Sequence, residues 1–162
     1  MENPKSRKAV RAVPEGFRTV TPYLVADNAM DLIAFMQQAF GAQLTFMMKD
    51  DAGKVMHASV SIGDSPIMIS DLMDDMQRHT AMLYLYLDDV DAVYKKAISA
   101  KAIPVREPTD EFYGDRAAAV KDVWGNVWWM DTQVEDVDEE ELERRSREAM
   151  RDRKETRNQV KV

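Results

Sequence analysis

The feature that most constrains the fold of this chain is an order of predicted elements that occurs twice. Each copy contains a strand, a helical pattern and then three short strands bounded by turn residues. The first copy comprises segments 19–26, 29–42 and 43–71, and the second comprises 81–89, 89–102, 103–108, 115–122 and 127–133. A unit of this length buries too little surface to be stable alone. The repetition therefore predicts two βαβββ modules, at about 17–72 and 81–133, that fold together.

The composition of the chain disfavours some classes of partner and excludes some kinds of metal site. A net charge of −7 over 162 residues disfavours nucleic acid and anionic membranes as main partners. No run of about 18 apolar residues is present, so we expect no membrane span. Cysteine is absent, which excludes disulfides and thiolate metal sites. We predict a cytoplasmic protein.

The segments on either side of the repeat are polar. Residues 1–16 are rich in basic residues, and we expect a flexible N-terminal segment. Residues 137–162 are acidic first and basic later, an order that suits the helix dipole. We predict a charged helix from 138 to about 154, supported by the i, i+4 pair Glu141/Arg145 and followed by a disordered tail. With so little apolar surface, this helix should be solvated and dispensable for the fold.

Four segments in order point to a known family: "VTPYLVADNAMDLIAFMQQAFGA", "GKVMHASVSIGDSPIMISD", "LYLYLDDVDAVYKKAISAKA" and "EFYGDRAAAVKDVWGNVWWM". Over about residues 17–136 the chain resembles glyoxalase/bleomycin-resistance proteins of the vicinal oxygen chelate superfamily, nearest its PhnB-like branch. The resemblance implies a glyoxalase-like α+β fold in which the paired βαβββ modules form a half-open barrel around a cavity. It also implies a homodimer that takes a small-molecule ligand.

The resemblance further indicates where metal-dependent members bind a divalent ion. With the strand-to-helix junctions Asp27 and Asp89 aligned, these positions fall at Val20, Met82, Trp129 and Met68, or at Ser70 in the other register. A divalent ion prefers imidazole or carboxylate donors, which these side chains lack. We therefore predict no metal and no cofactor.

Side-chain alternation along the strands predicts which residues face a cavity. Trp128 should join a helix-covered core and Trp129 the opposite face, unless both simply pack in a closed core. Tyr84 and Tyr86 lie opposite a row of leucines, and His57 and Ser59 lie opposite an apolar row that includes Met56. Arg116 has the bidentate fork that binds carboxylates, although it could pair with Asp115 instead. The predicted ligand-binding residues are His57, Ser59, Tyr84, Tyr86, Arg116 and Trp129.

Alternation does not settle function, because a sheet face in contact with solvent would give the same pattern. The leading hypothesis is a metal-free protein that binds a small planar or amphipathic molecule in an aromatic cavity, with no catalytic residue assigned. The alternative is a metal-dependent lyase, isomerase or dioxygenase with non-standard ligands, such as His57 with Glu111 or Asp131. A third hypothesis is a structural or regulatory dimer that engages a partner through its charged C-terminal helix.

Overall fold

The computed structural model describes residues 11–74 and 76–159, except for the side chains of 153–159. Its elements are β1 Tyr23–Ala26, α1 Ala29–Phe40, β2 Gln43–Lys49, β3 Val55–Ile62, β4 Ser65–Asp71, β5 Met82–Tyr86, α2 Val90–Ser99, β6 Ile103–Asp110, β7 Asp115–Lys121, β8 Val127–Gln133 and α3 Glu139–Gln159. The α+β class and the two βαβββ modules are confirmed. Most of the predicted flexible segment, 1–10, and the last residues of the predicted tail, 160–162, lie outside the described residues.

The chain divides into two compact units. The first comprises Gly41–His79 together with the chain up to Gln37, and the second comprises Gln38–Phe40 together with the chain from Thr80. Each unit contains one four-stranded sheet, with strand order β1-β4-β3-β2 in the first and β5-β8-β7-β6 in the second. The first strand of each module runs parallel to the last, and the other pairs are antiparallel.

The first module is tied together at the start of its helix. The Asn28 side chain accepts the Asp31 amide at 3.3 Å and caps α1. The carboxylate of Asp71, at the end of β4, accepts the Ala29 amide at 2.7 Å and the Val55 amide at 2.6 Å. This buried carboxylate lies at the positive end of the helix dipole and satisfies amides of two different elements. It fixes where β3, β4 and α1 meet.

The second module buries one face of its sheet under α2. Trp128 is fully buried, its ring lies 4.8 Å from that of Phe40, and its indole N–H donates to Asp122 Oδ2 at 2.9 Å. Asp122 Oδ1 also accepts the Trp124 and Asn126 amides, at 3.0 and 2.9 Å. The turn before β8 is thereby joined to the core. The predicted burial of Trp128 is confirmed.

Two details differ from the sequence-based expectation. Met56 does not share the buried face of β3, because the pairing with β2 shifts at Met48/Lys49 and places Val55 in the core instead. The C-terminal helix continues to Gln159 and contains the predicted Glu141–Arg145 pair at 2.7 Å. No helix of the described part of the chain is both long and apolar enough to cross a membrane.

The outer strands of the two sheets differ in regularity. In the first sheet, β2 is an edge strand whose pairing shifts twice, between Leu44 and Phe46 and again after Met48. In the second sheet, the edge strand β6 has Pro104 and Pro108 within its eight residues. Proline is found in sheets mainly at such edges, because it lacks the N–H that a central strand needs.

Candidate functional site

His57 and Ser59 lie on the same face of β3, as predicted. Pairing places Met48 beside His57, and Phe46 and Met68 beside Ser59. The His57 ring is 5.9 Å from Tyr23 and 6.0 Å from Phe46, measured between centroids. This face of the first sheet therefore combines aromatic rings with small hydroxyl groups.

A cavity of about 620 Å³ opens over this face. Its walls come from β2, β3, the start of β4 and the segment before β1, and they include Phe17, Arg18, Phe46, His57, Ser59 and Pro66. The Arg18 guanidinium donates to the carbonyls of Phe17 and Asp64, at 3.2 and 3.1 Å, and so holds the segment before β1 near the turn that follows β3. The volume is within the range of small-molecule pockets.

Ser59 is the unusual member of the cavity wall. It is 2 % exposed, and its hydroxyl has no hydrogen-bond partner among the described residues. A buried hydroxyl without a partner costs about 1–3 kcal/mol, so native proteins seldom keep one without a reason. A polar atom of a ligand in the cavity would supply the missing partner.

Tyr84, Tyr86 and Trp129 share the exposed face of the second sheet, and we call them the aromatic face. The rings of Tyr84 and Trp129 are nearly parallel, at 8°, with centroids 6.3 Å apart. Tyr84 and Tyr86 remain 49 % and 69 % exposed, whereas Trp129 is half-buried. The Arg106 guanidinium lies 5.9 Å from the centre of the Trp129 ring. Exposed π-surface of this kind can stack on a planar or cationic molecule.

Buried carboxylates lie behind these rings. The Tyr84 hydroxyl donates to Asp131 Oδ2 at 2.5 Å, and the Tyr86 hydroxyl donates to Asp115 Oδ2 at 3.2 Å. Asp131 is fully buried, and its Oδ1 has no partner in the described part of the chain. Burial raises the pKa of Asp131, although the Tyr84 hydrogen bond acts in the opposite direction. Burial and then the Asp131 hydrogen bond raise the pKa of Tyr84, which therefore stays protonated.

Arg116 lies on the opposite face of the second sheet from these three aromatic residues. In the pairing of β7 with β8 it lies beside Thr132, which is on the same face of the sheet as Trp128. Its guanidinium binds Asp91 of α2 at 2.5 and 2.9 Å. A further contact, at 2.8 Å, joins it to Asp110. These hydrogen bonds raise the pKa of Arg116 and lower that of Asp91. The alternative ion pair between Arg116 and Asp115 is not formed. The structure thus separates Arg116 from the aromatic face and supports an architectural role.

Comparison with known proteins identifies the family. Residues 18–130 match the model of the Glyoxalase/Bleomycin resistance protein/Dioxygenase superfamily. The chain belongs to this superfamily. An uncharacterized protein of Mycobacterium bovis is 29 % identical over 135 residues, which cover 76 % of this chain and 89 % of that protein.

Solved structures of the superfamily fold confirm the architecture. TioX from Micromonospora sp. ML1 superposes with a TM-score of 0.61 at 18 % identity, covering 70 % of this chain and 96 % of TioX. A PhnB protein from Bacillus cereus gives 0.60 at 16 % identity, covering 71 % of this chain and 99 % of that protein. At such identities the likeness establishes the fold alone. The helix α3 lies beyond the residues that match the superfamily model.

The metal-binding positions of the superfamily need one correction here. The helix caps are Asn28 and Asp89, so Tyr23 corresponds to Tyr84, and Thr21 rather than Val20 corresponds to Met82. Strand pairing agrees, because Tyr23 lies beside Met68 and Tyr84 beside Trp129. The corrected positions are Thr21 and Met68 in the first module, and Met82 and Trp129 in the second. Neither module supplies an imidazole or a carboxylate at these positions, so the residues there do not fit a divalent ion.

Non-standard ligands have no better support. Glu111 forms an ion pair with Arg106, and Asp131 accepts the Tyr84 hydroxyl. Among the side chains described, those of residues 11–74 and 76–152, no group of three His, Asp or Glu is arranged so that it could hold a metal ion.

Sequence reasoning missed two contributors to the site. Arg106 reaches Trp129 from the edge strand β6, and Tyr113, in the turn between β6 and β7, contributes to the rise in the pKa of Tyr84. Alternation could not identify either residue, because β6 pairs irregularly with β7 and Tyr113 belongs to no strand. The residues of this turn, "EFYGDR", do begin one of the four segments that resemble the family.

Proposed function

We propose that the protein binds a small planar or amphipathic molecule without the help of a metal ion. The observation that carries this proposal is the buried, unpartnered Ser59 hydroxyl in a cavity with aromatic walls. An amphipathic ligand would place its apolar part against Phe17 and Phe46 and a polar atom against Ser59. Sequestration of this kind needs affinity and no chemistry.

The aromatic face of the second sheet supports the same function. Tyr84 and Trp129 offer parallel, accessible rings, and three carboxylates, those of Glu111, Asp115 and Asp131, lie in the same module with Arg106. Since carboxylates outnumber this arginine, an aromatic cation should bind here better than an aromatic acid.

Ser59→Ala tests the proposal, with Ser70→Ala as a matched control. Both serines are buried and both hydroxyls lack a described partner, but Ser70 is not part of the cavity wall. Both changes remove an unsatisfied hydroxyl and should leave the thermal midpoint equal or higher. Only Ser59→Ala should weaken the binding of a probe measured by calorimetry. Suitable probes are benzoate, indole, phenylguanidinium and bleomycin.

Two results would count against the proposal. If Ser59→Ala and Ser70→Ala alter probe affinity equally, Ser59 has no special role in the cavity. If no probe raises the melting temperature of the wild-type chain, binding of this class of molecule is unsupported. One tightly held metal ion per chain would favour the alternative, a metal-dependent lyase, isomerase or dioxygenase.

We also propose that the protein is a homodimer. Large side chains are exposed on the sheets, among them Met48 at 50 %, Met82 at 72 % and Tyr86 at 69 %. Apolar surface of this extent on a family scaffold is commonly covered by a second copy. Sedimentation velocity at micromolar concentration should give the mass of two chains, and a stable monomer would contradict this proposal.

A further inference from the structure

Asp131 and Asp115 are two buried carboxylates on the same side of the second sheet as the aromatic face. Asp131 is two residues beyond Trp129 on β8, so its side chain projects from the same face of the strand. Asp115 of β7 lies opposite Gln133, two residues farther along β8, and therefore shares that face too. Their exposed fractions are 0 % for Asp131 and 6 % for Asp115. Acidic groups thus lie beneath the exposed aromatic rings.

The partners of these two carboxylates are neutral. In the described part of the chain, the Tyr84 hydroxyl donates to Asp131 at 2.5 Å and the Tyr86 hydroxyl donates to Asp115 at 3.2 Å. A buried carboxylate is normally paired with a cation, because its charge is otherwise costly to remove from water. A positive charge placed beside these residues would offset that cost.

The guanidinium near the face does not supply this charge. Arg106 lies 5.9 Å from the centre of the Trp129 ring, and one of its terminal nitrogens forms an ion pair with Glu111, whose side chain is buried. One cation is thus matched by one carboxylate, and the charges of Asp115 and Asp131 are left uncompensated. The electrostatics of the face favour a cationic ligand.

Asp131 also has an oxygen that accepts no hydrogen bond. Its Oδ1 is buried and has no partner among the described residues, whereas its Oδ2 accepts the Tyr84 hydroxyl. Because Tyr84 belongs to the aromatic face, that bond directs the carboxylate toward the face and not into the core. A positively charged N–H group is the donor that a carboxylate oxygen binds best, since such hydrogen bonds are about twice as strong as neutral ones.

The ring that covers Asp131 is loosely held. Tyr86 lies beside Asp131 in the pairing of β5 with β8, and it is 69 % exposed. Its hydrogen bond to Asp115 is longer than the usual O–H···O distance of about 2.7–2.8 Å. Its ring is tilted by 46° to that of Tyr84, so the two rings are not stacked. Exposed side chains change rotamer rapidly, and rotation of Tyr86 gives a small cation access to Oδ1.

We propose that the aromatic face binds a protonated arylalkyl amine, whose N–H donates to Asp131 Oδ1 while its ring packs against Trp129. The proposal rests on the proposed function and narrows the ligand to one chemical class. A primary or secondary ammonium supplies both the positive charge and the donor, whereas a quaternary ammonium supplies the charge alone. Residues two apart on a strand are separated by about 6.6 Å, so one or two methylene groups between ring and nitrogen suit the spacing.

A pair of probes that differ in their N–H groups tests this proposal. Benzylammonium and benzyltrimethylammonium are both cationic at neutral pH, and calorimetry gives the affinity of each. The wild-type chain should prefer benzylammonium by about tenfold or more, the range of a hydrogen bond to a charged group. Equal affinities, or tighter binding of benzyltrimethylammonium, would overturn the proposal.

Asp131→Asn separates recognition of the N–H from exclusion by size. The amide keeps the volume of the side chain, and its oxygen still accepts the Tyr84 hydroxyl, so its NH₂ group takes the place of Oδ1. A donor there cannot bind an ammonium, and the preference for benzylammonium should disappear. A preference that persists in Asp131→Asn would mean that the trimethyl group is merely too large, and the proposal would be wrong.

Two further variants serve as controls. Asp91→Asn removes one negative charge from the opposite face of the same sheet, where Asp91 binds Arg116, and it should leave the preference unchanged. Trp129→Ala should weaken both probes by a similar factor and keep their ratio, because stacking is common to both. If Asp91→Asn abolishes the preference as Asp131→Asn does, overall charge is the cause and Asp131 has no special role.

The same titrations distinguish failure of this proposal from failure of the proposed function. If indole or benzoate binds but benzylammonium does not, the amine class is overturned while the binding of small planar molecules stands. If none of these probes binds the wild-type chain, both proposals are overturned. Selective binding of benzylammonium that depends on Asp131 supports both.

Discussion

Trp128 and Trp129 are adjacent in sequence but should differ about twofold in their effect on stability. Trp128 is fully buried, lies against Phe40 and donates to Asp122. Trp128→Ala should therefore cost about 3–5 kcal/mol through the cavity it leaves. Trp128→Phe keeps most of the ring volume but loses a hydrogen bond to a carboxylate, worth about 1.5–3 kcal/mol.

The corresponding estimate for Trp129→Ala is smaller. Its ring is half-buried, and it would lose the stack with Tyr84, worth about 0.5–1.5 kcal/mol. An exposed cation–π contact with Arg106 adds about 0.5–1 kcal/mol. The expected total is about 1–2.5 kcal/mol, roughly half the cost of Trp128→Ala. The same variant should bind phenylguanidinium about tenfold more weakly.

Urea unfolding followed by far-ultraviolet circular dichroism gives these free energies, because backbone ellipticity does not depend on the tryptophan that is replaced. The order of cost should be Trp128→Ala, then Trp128→Phe, then Trp129→Ala. Equal losses for the two alanine variants, with no change in phenylguanidinium affinity for either, would mean that both tryptophans belong to the core. The assignment of Trp129 to a ligand-binding face would then be refuted.

Three further predictions concern charge, backbone and metal. Burial raises the pKa of Asp131, so its neutral form stabilises the fold below about pH 4 and this contribution is lost as the pH rises. Urea titrations at several pH values should show the free energy of unfolding of Asp131→Asn rising relative to that of wild type above about pH 4. A difference between the two that stays constant with pH would contradict this. Gly114→Ala should lower the free energy of unfolding by about 3 kcal/mol, and Gly53→Ala by about 1 kcal/mol. Both glycines have positive φ, but only at Gly114 would the added Cβ meet other atoms. Elemental analysis of protein purified without chelators should find no stoichiometric transition metal, and one zinc per chain would refute the metal-free hypothesis.

The repeat and the faces of the strands could be predicted because they depend on local patterns. Alternation alone separated Trp128 from Trp129, and the leucines of β5 from its tyrosines. The same rule failed at Met56, where a shift in pairing exchanges the two faces, and nothing in the residue types marks such a shift. The alignment of the two modules at Asp27 was displaced by one position, since Asp27 and the observed cap Asn28 are equally good capping residues by type.

Contacts between distant segments could not be predicted from the sequence. The guanidinium of Arg116 has the chemistry of a ligand-binding group, but in the fold it forms an ion pair with Asp91 of α2. The sequence shows Arg145 as one charge among many in a helix expected to be solvated. In the structure it contacts Glu135, ten residues away just after β8, and the carbonyl of Phe112 in the turn between β6 and β7. Residue type sets what a side chain can bind, whereas the partner depends on which segments the fold brings together.

The edge strand β6 has a consequence for self-association. An exposed edge offers unpaired N–H and C=O groups to any passing extended chain, which is the first step of strand addition and aggregation. Pro104 and Pro108 remove two of those donors, and the irregular pairing of β6 with β7 bends the strand further from a flat template. The second sheet therefore discourages uncontrolled growth at this edge, while its opposite edge, β5, contains no proline and carries Tyr84 and Tyr86 of the aromatic face.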